Sequence, residues 1–557
     1  MKKLCMLTLL AILAVFTAHG ASLKLPNILG NHMVLQQNSF TRIWGWAEPQ
    51  QEVIVTTSWN QKKYRVVADQ KGNWKVTVST GKAGGPYTVT IEADITRVLE
   101  DILLGEVWIC SGQSNMEWQL RRAETAEEEI PASDFPEIRL FTVEKHIATR
   151  PNEDLNGSWE LCNPESSAGF SAVGYFFGKM LHQELGVPVG LVNTSWGGTP
   201  SESWTSRETL SSFGDFDQQL EELYGTSEEE VVKARLEQEG IEKMIKEQQD
   251  FENPENIGFK EAWMAVDYDD SDWSEMDCPA EWSSVEDIGM LEGVLWMRTG
   301  IKIPDSWIGK ALSLELGPVD EMDITYINGV EVGTNRIINN WNVPRYYQVP
   351  ASLITSGELQ LAIRIVNTNA QGGIFGHPEE LKIFPSENKD ETPVLLAGSW
   401  KYRIAYEFPE VPMANNSHTP SVLYNGMLHP LRNMAIKGAI WYQGESNQTR
   451  AVQYRTIFPG MIEDWRSTWK QGAFPFYFVQ IAPYDYGPSQ TSPELREAQF
   501  LTLSKVKYTG MAVTMDIGNP DDIHPTNKRD VGKRLALWAL AMDYGKDIVF
   551  SGPLYRE

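Results

Sequence analysis

Four short segments of this chain carry residue types that together can move an acyl group. Gly112-Gln113-Ser114-Asn115-Met116 places a serine just after the apolar run Val107-Trp108-Ile109-Cys110. A buried strand ending at Cys110, with a helix expected over 116–128, sets Ser114 at a strand end beside a helix N-terminus. Free N–H groups and the helix dipole favour a developing oxyanion there, and Gly112 permits the tight turn. Alone, such a serine is equally an ordinary N-cap. Asp521-Asp522-Ile523-His524-Pro525 supplies a base. A carboxylate three residues before a histidine, here Asp521, can hold one ring nitrogen while the other faces outward. That fixes the tautomer and supports the imidazolium formed when a serine is deprotonated.

Two more segments offer what acyl transfer also needs. Asn193-Thr194-Ser195-Trp196-Gly197-Gly198-Thr199 has glycines whose backbone N–H groups can approach a substrate oxygen, and Ile440-Trp441-Tyr442-Gln443-Gly444-Glu445-Ser446-Asn447 offers a side-chain amide. Each alone could be a turn. Strand ends along one edge of a parallel sheet converge, so the four loops can line one pocket. Trp118, Trp196 and Trp204 flank these motifs and could stack on a sugar face. Glu445 is expected buried and hydrogen-bonded, because an unpaired charge there is costly. His429 and His377 read as structural loop residues.

The elements that must position these loops follow from hydrophobic periodicity. Residues 22–98 alternate apolar and polar positions between turn residues and read as an N-terminal β-sandwich. Strand–helix alternation over 99–205 and again over 400–550 reads as one split α/β domain with a parallel sheet. Its helices are expected at 172–185 and 527–544, the second turning Val531, Leu535, Trp538 and Met542 inward. Between the halves, 206–260 is rich in Glu, Gln and Lys at helical spacing, and 261–390 returns to β character as an inserted β-sandwich.

The chain has 557 residues and a formal charge of −27, which opposes nucleic-acid phosphate and anionic membrane surfaces. Lys2 and Lys3 precede an apolar run from Leu4 to about Phe16, and small residues follow; residues 1–21 read as a signal peptide, implying a secreted or periplasmic protein. No later run is long and apolar enough to span a bilayer. Cys110, Cys162 and Cys278 are expected to form no disulfide, and no cluster has zinc-ligand spacing.

Gly-Gln-Ser-Asn-Met-Glu-Trp (112–118), Trp-Gly-Gly-Thr-Pro (196–200), Trp-Tyr-Gln-Gly-Glu-Ser-Asn (441–447) and Asp-Ile-His-Pro (522–525) resemble the sialate O-acetylesterase family of SGNH carbohydrate esterases. The likeness spans about 22–550, and the insertion is similar to a galactose-binding-like sandwich. It implies a flavodoxin-like three-layer parallel sheet, an acetylated carbohydrate substrate, no cofactor or metal, and a serine acyl-enzyme mechanism. The implied roles are Ser114 as nucleophile, His524 as base, and Gly197 or Gly198 with Gln443 as oxyanion donors. The family often carries its acid where Asp522 stands, and some members work with a dyad, so Asp521 is the first choice and Asp522 the second. Trp118, Trp196 and Arg207 are the candidate substrate contacts. An anionic sugar would need a local cation against the overall charge, for which Arg121, Arg122, Arg207 and Arg450 are available. Similar proteins often continue past the end of this chain into another β-rich segment, so this copy is expected to be short at its C-terminus. The competing readings are an acetyl esterase for xylan and, in another class, a non-catalytic glycan-binding protein. Intact Ser114, His524 and a nearby acid argue against the latter.

Overall fold

The computed structural model describes residues 23–225, 227–289, 291–337, 341, 343–368, 372–388, 391–409, 416–486 and 491–553. The expected leader, 1–21, lies outside them. Thr96–Gly112 forms one continuous strand, β1, so the boundary expected at 98/99 falls inside it. Its first half pairs antiparallel with Gly84–Glu92 and parallel with Val34–Gln36. Its second half is the centre of a parallel sheet, so the ladder never has to break between the two.

That sheet continues with β2 (Phe135–Thr142), β3 (Trp159–Cys162), β4 (Val189–Ser195), β5 (Gly438–Tyr442), β6 (Phe476–Val479) and β7 (Thr509–Ala512), in the order β7-β6-β5-β1-β4-β2-β3. Only β3 runs antiparallel to its neighbour. The chain leaves β1 on one side for β2–β4 and returns on the other for β5–β7. Strand order therefore reverses at β1, and the crevice at its carboxyl end is where such sheets hold ligands.

Both faces of the sheet are covered, which is why its strands read as unbroken apolar runs. Val107 and Ile109 enter one core with α2 (Ala451–Trp469) and α3 (Ser492–Lys505); Trp108 and Cys110 enter the other with α1 (Ala172–Leu185) and α4 (Lys528–Met542). The Ser171 hydroxyl caps α1 by accepting the Gly174 N–H, and Gly186 closes it in the left-handed conformation. Val531, Leu535 and Trp538 of α4 point inward as expected. Met542 does not: it ends the helix and is 61% exposed. The helix expected over 116–128 is broken into Ser114–Glu117, a 3₁₀ turn at Leu120–Arg122 and Ala126–Glu129. Trp118 takes an extended conformation there, and Gln119 instead bridges to Ser171.

N-terminal to β1, Phe40–Trp46 pairs with Asn73–Ser79, and Glu52–Thr57 pairs with Lys62–Val67 and Gly84–Glu92. Trp74, Val76 and Val78 alternate into the core, the period of two seen in the sequence. Residues 232–412 form a separate compact unit. Gly398–Glu407 is a strand of its antiparallel sheet, so the catalytic half expected to resume at 400 resumes after 412. Within this unit Leu295, Met297, Ile363 and Ile365 of one sheet share a core with Leu314, Leu316, Leu381 and Ile383 of another. The expected helical segment 206–260 divides between the units, its main helix being Glu228–Gln248. The three described cysteines are free and buried. No helix among the described residues is long and apolar enough to cross a membrane.

Gly112 is a tight point of the sheet. Its φ is +139°, and a Cβ there would lie 2.1 Å from the Tyr442 carbonyl oxygen on β5. Gly112→Ala should cost about 2–4 kcal/mol, seen as a lowered urea midpoint by tryptophan fluorescence. Gly81→Ala, with nothing within 4 Å of the added carbon, should leave that midpoint unchanged.

Candidate active site

Gly112 lies in register between Ser195 of β4 and Tyr442 of β5. Its carbonyl accepts the Trp196 N–H at 3.0 Å, and the Gln113 N–H donates to the Tyr442 carbonyl at 2.9 Å. Three motif loops therefore leave the sheet side by side. Ser114 opens a helical turn between them, and its Oγ lies 2.8 Å from His524 Nε2. The His524 loop follows β7 and is folded by Asp522, whose Oδ1 accepts the His524 backbone N–H at 2.8 Å. The imidazole stacks on Trp118 with ring centres 5.2 Å apart. Burial, and then the cations of Lys528 and Arg122, push its pKa down to about 3, which keeps the ring neutral and able to accept a proton.

A second set of side chains ties the Ser114 turn to the His524 loop. Asn115 donates one amide hydrogen to Glu445 Oε1 and the other to the Ile523 carbonyl, each at 2.9 Å, and its oxygen accepts from Lys528 Nζ at 2.5 Å. Lys528 is buried and pushed down to about 7, chiefly by desolvation. Burial raises the Glu445 carboxyl; its Oε1 is bonded as expected, but its buried Oε2 has no partner among the described residues.

The structure revises several expected roles. Asp521 is exposed, and among the described residues no carboxylate bonds the free nitrogen of the His524 ring. Asp522 touches His524, through the backbone. Gln443 is fully buried with its amide already engaged: it donates to the Thr199 carbonyl at 3.3 Å and Asn447 Oδ1 at 2.6 Å, and accepts from Tyr454 at 3.0 Å. It is a wall of the site, not a free oxyanion donor. Gly197 does approach the nucleophile, since a Cβ on it would lie 3.3 Å from Ser114 Cβ. Its N–H, however, donates to Glu117 Oε2 at 2.6 Å, and Glu117 pairs with Lys145 at 2.8 Å. The N–H groups of Gly198 and Ser114 have no acceptor among the described residues, and Ser446 Oγ holds the Gly198 carbonyl at 2.7 Å.

Trp204 is wholly buried against Trp441 and donates to Thr199, so it meets no sugar. Arg207 lies over Tyr224, and Arg450 pairs with Glu202 at 2.7 Å. Trp196 is partly covered by Lys145. His429 bonds the Asn152 carbonyl and His377 begins a capped turn, both structural as expected. Sequence reasoning passed over Lys528, Glu117 and His418. Lys528 left one signal: a cation at the first position of a helix, where the dipole disfavours it. His418, exposed, lies beside Gly198 and left none. No group of three or more His, Cys, Asp or Glu among the described residues is arranged to hold a metal ion.

The family model described as carbohydrate esterase, sialic acid-specific acetylesterase, matches residues 104–249 and 413–541. These stretches include Ser114, Gly197, Gln443 and His524. Mouse sialate O-acetylesterase is 27% identical over 594 residues, spanning 99% of this chain and 79% of that protein. The human sialate O-acetylesterase is 24% identical, spanning 96% and 74%. The crystal structure of a carbohydrate acetylesterase from Xanthomonas citri is similar with a TM-score of 0.58 at 26% identity, over 96% of this chain and 78% of that one.

The Lys528 ammonium repels the imidazolium and so favours the neutral ring. The acid limb of kcat/KM on 4-nitrophenyl acetate should therefore fall well below pH 6.5, and Lys528→Met should move it upward; an unmoved limb would exclude Lys528 from tuning the base. Between the acids, Asp522→Asn should lower kcat more than Asp521→Asn, because only Asp522 contacts the loop of the base. The reverse order would return the orienting role to Asp521.

Proposed function

We propose that this chain, which belongs to the sialic acid-specific acetylesterase family of carbohydrate esterases, removes O-acetyl groups from sialic acids through an acetyl-enzyme on Ser114. The 2.8 Å hydrogen bond between Ser114 Oγ and His524 Nε2 carries this reading. The relatives named sialate O-acetylesterase support the substrate. The three-layer parallel sheet with its motif loops at one edge supports an SGNH-hydrolase domain. Two sheets around a shared core support a galactose-binding-like sandwich in the insertion, and the paired strands before β1 support a β-sandwich at the N-terminus.

In the mechanism, neutral His524 takes the Ser114 proton as Oγ attacks the acetyl carbonyl carbon. The negative charge on the former carbonyl oxygen falls to the unengaged N–H groups of Ser114 and Gly198, with Gly197 available if Glu117 yields. Collapse breaks the bond to the sugar oxygen, which takes the proton from the imidazolium. Water, deprotonated by the same ring, then attacks the acetyl-enzyme; the bond from Oγ to the acetyl carbon breaks, acetate leaves, and Oγ takes the proton back from the imidazolium. The basic start and apolar run of residues 2–16 support export, to the periplasm or the medium.

Ser114→Ala should lower acetate release about 10⁴- to 10⁶-fold, because nucleophile and base act as a unit, with an unchanged circular dichroism spectrum. Retention of a tenth of the wild-type rate would remove Ser114 as nucleophile. Acetate release from O-acetylated sialic acid should exceed that from acetylated xylan at matched acetyl concentration; the opposite order would leave the serine mechanism and overturn the substrate.

A further inference from the structure

Six cations near the motif loops were open to a substrate as far as the sequence could tell or have emerged from the structure, and four are committed. Lys145 pairs with Glu117, Lys528 is buried on Asn115, Arg450 pairs with Glu202, and Arg207 lies over Tyr224. Arg121 is exposed and lies over no ring of the site among the described residues. The sixth is Arg122. Its guanidinium sits 4.0 Å above the Trp118 ring and has no carboxylate or carbonyl partner among the described residues. Trp118 is the same indole that stacks on His524. Arg122 is therefore one aromatic ring away from the base, and exposed.

Stacking uses the flat face of a guanidinium and leaves its N–H edge free, which is the edge that matches a carboxylate with two parallel hydrogen bonds. Trp118, expected as a sugar platform, is already covered by His524 and Arg122, and serves instead to hold the cation at a set distance from the reacting centre. We infer that Arg122 binds the carboxylate of an acidic sugar whose O-acetyl group is presented to Ser114. This rests on the acetylesterase reading above and narrows it to anionic substrates. The carboxylate could belong to a sialic acid or to a uronic acid. In a chain of net charge −27, an acid sugar gains nothing from the long-range field, so its recognition has to be local and, at an exposed guanidinium, sensitive to salt.

The experiment compares kcat/KM for O-acetylated sialic acid, its carboxylate methyl ester and O-acetylated galacturonic acid, in wild type, Arg122→Met and Arg122→Lys, with 4-nitrophenyl acetate as the uncharged reference. Wild type should prefer the free acid to its methyl ester about ten- to a hundred-fold. Arg122→Met should abolish that preference through KM, with the loss on the free acid exceeding any change on its methyl ester or on 4-nitrophenyl acetate. Arg122→Lys should restore part of it, and added salt should weaken it in wild type. The sugar acid that shows the larger preference identifies the source of the carboxylate. An enzyme that prefers acid sugars equally with and without Arg122 overturns this assignment alone. One that releases acetate faster from neutral xylo-oligosaccharide than from either acid overturns the sialate reading and this assignment with it. Equal losses on all substrates in Arg122→Met would make Arg122 structural and overturn it too.

Discussion

The hydrogen bond between Ser114 and His524 joins side chains 410 positions apart, and its length depends on how two helices meet the sheet. Ser114 leaves the central strand, so its position is set by β4 and β5 on either side. His524 precedes α4, which packs beside α1 on the Trp108 face. The start of α1 is in turn tied to the nucleophile turn: Ser171 Oγ donates to the Met116 carbonyl at 2.6 Å while accepting the Gly174 N–H. Asn115 closes the circuit through the Ile523 carbonyl. Any shift of α4 against α1 would move the base, and each of these polar ties resists that shift.

The charges around this bond are one-sided. Lys528 and Arg122 lower the affinity of the ring for a proton, and no carboxylate among the described residues supports its far nitrogen. The resting site thus disfavours the very imidazolium that proton transfer creates. In the proposed mechanism, the negative charge developing on the substrate oxygen would supply what is missing. Interactions that strengthen only as that charge appears lower the barrier without tightening the resting complex. Burial raises the Glu445 carboxyl, whose Oε1 is held by Asn115.

Much of this arrangement was legible in the sequence because it rests on local signals. Apolar runs with turn residues after them marked β1, β4 and β5, and apolar residues at helical spacing marked α1 and α4. The four motifs marked the edge of the sheet. What escaped depended on partners remote in sequence. The amide of Gln443 looked free until Tyr454 and Asn447 folded against it. Asp521 and Asp522 differ by one residue of turn geometry that no periodicity records. The helix expected after Ser114 yielded at Trp118 to a bridge with Ser171. The boundary at 98/99 looked real because pairing partners change there, while the strand itself runs on. The return at 400 came early because an antiparallel strand of the insertion has the same alternation as any other.

The pairing of polar atoms around the site leaves few groups available for chemistry. Asn115 and Gln443 spend every amide hydrogen on the fold. Glu202 holds Asn447 and Arg450, and Gln113 Oε1 accepts the N–H groups of Gly444 and Ser446. Buried polar groups must be paired in this way or the loops would not close. Among the groups left open are the Ser114 hydroxyl on its histidine, the N–H groups of Ser114 and Gly198, and the guanidinium edge of Arg122. A nucleophile with its base, donors for an oxyanion and a cation form the smallest set that could open an ester on a charged sugar. They stay open in part because Asn115, Gln443, Glu202 and Gln113, which could have closed over them, are already bound elsewhere.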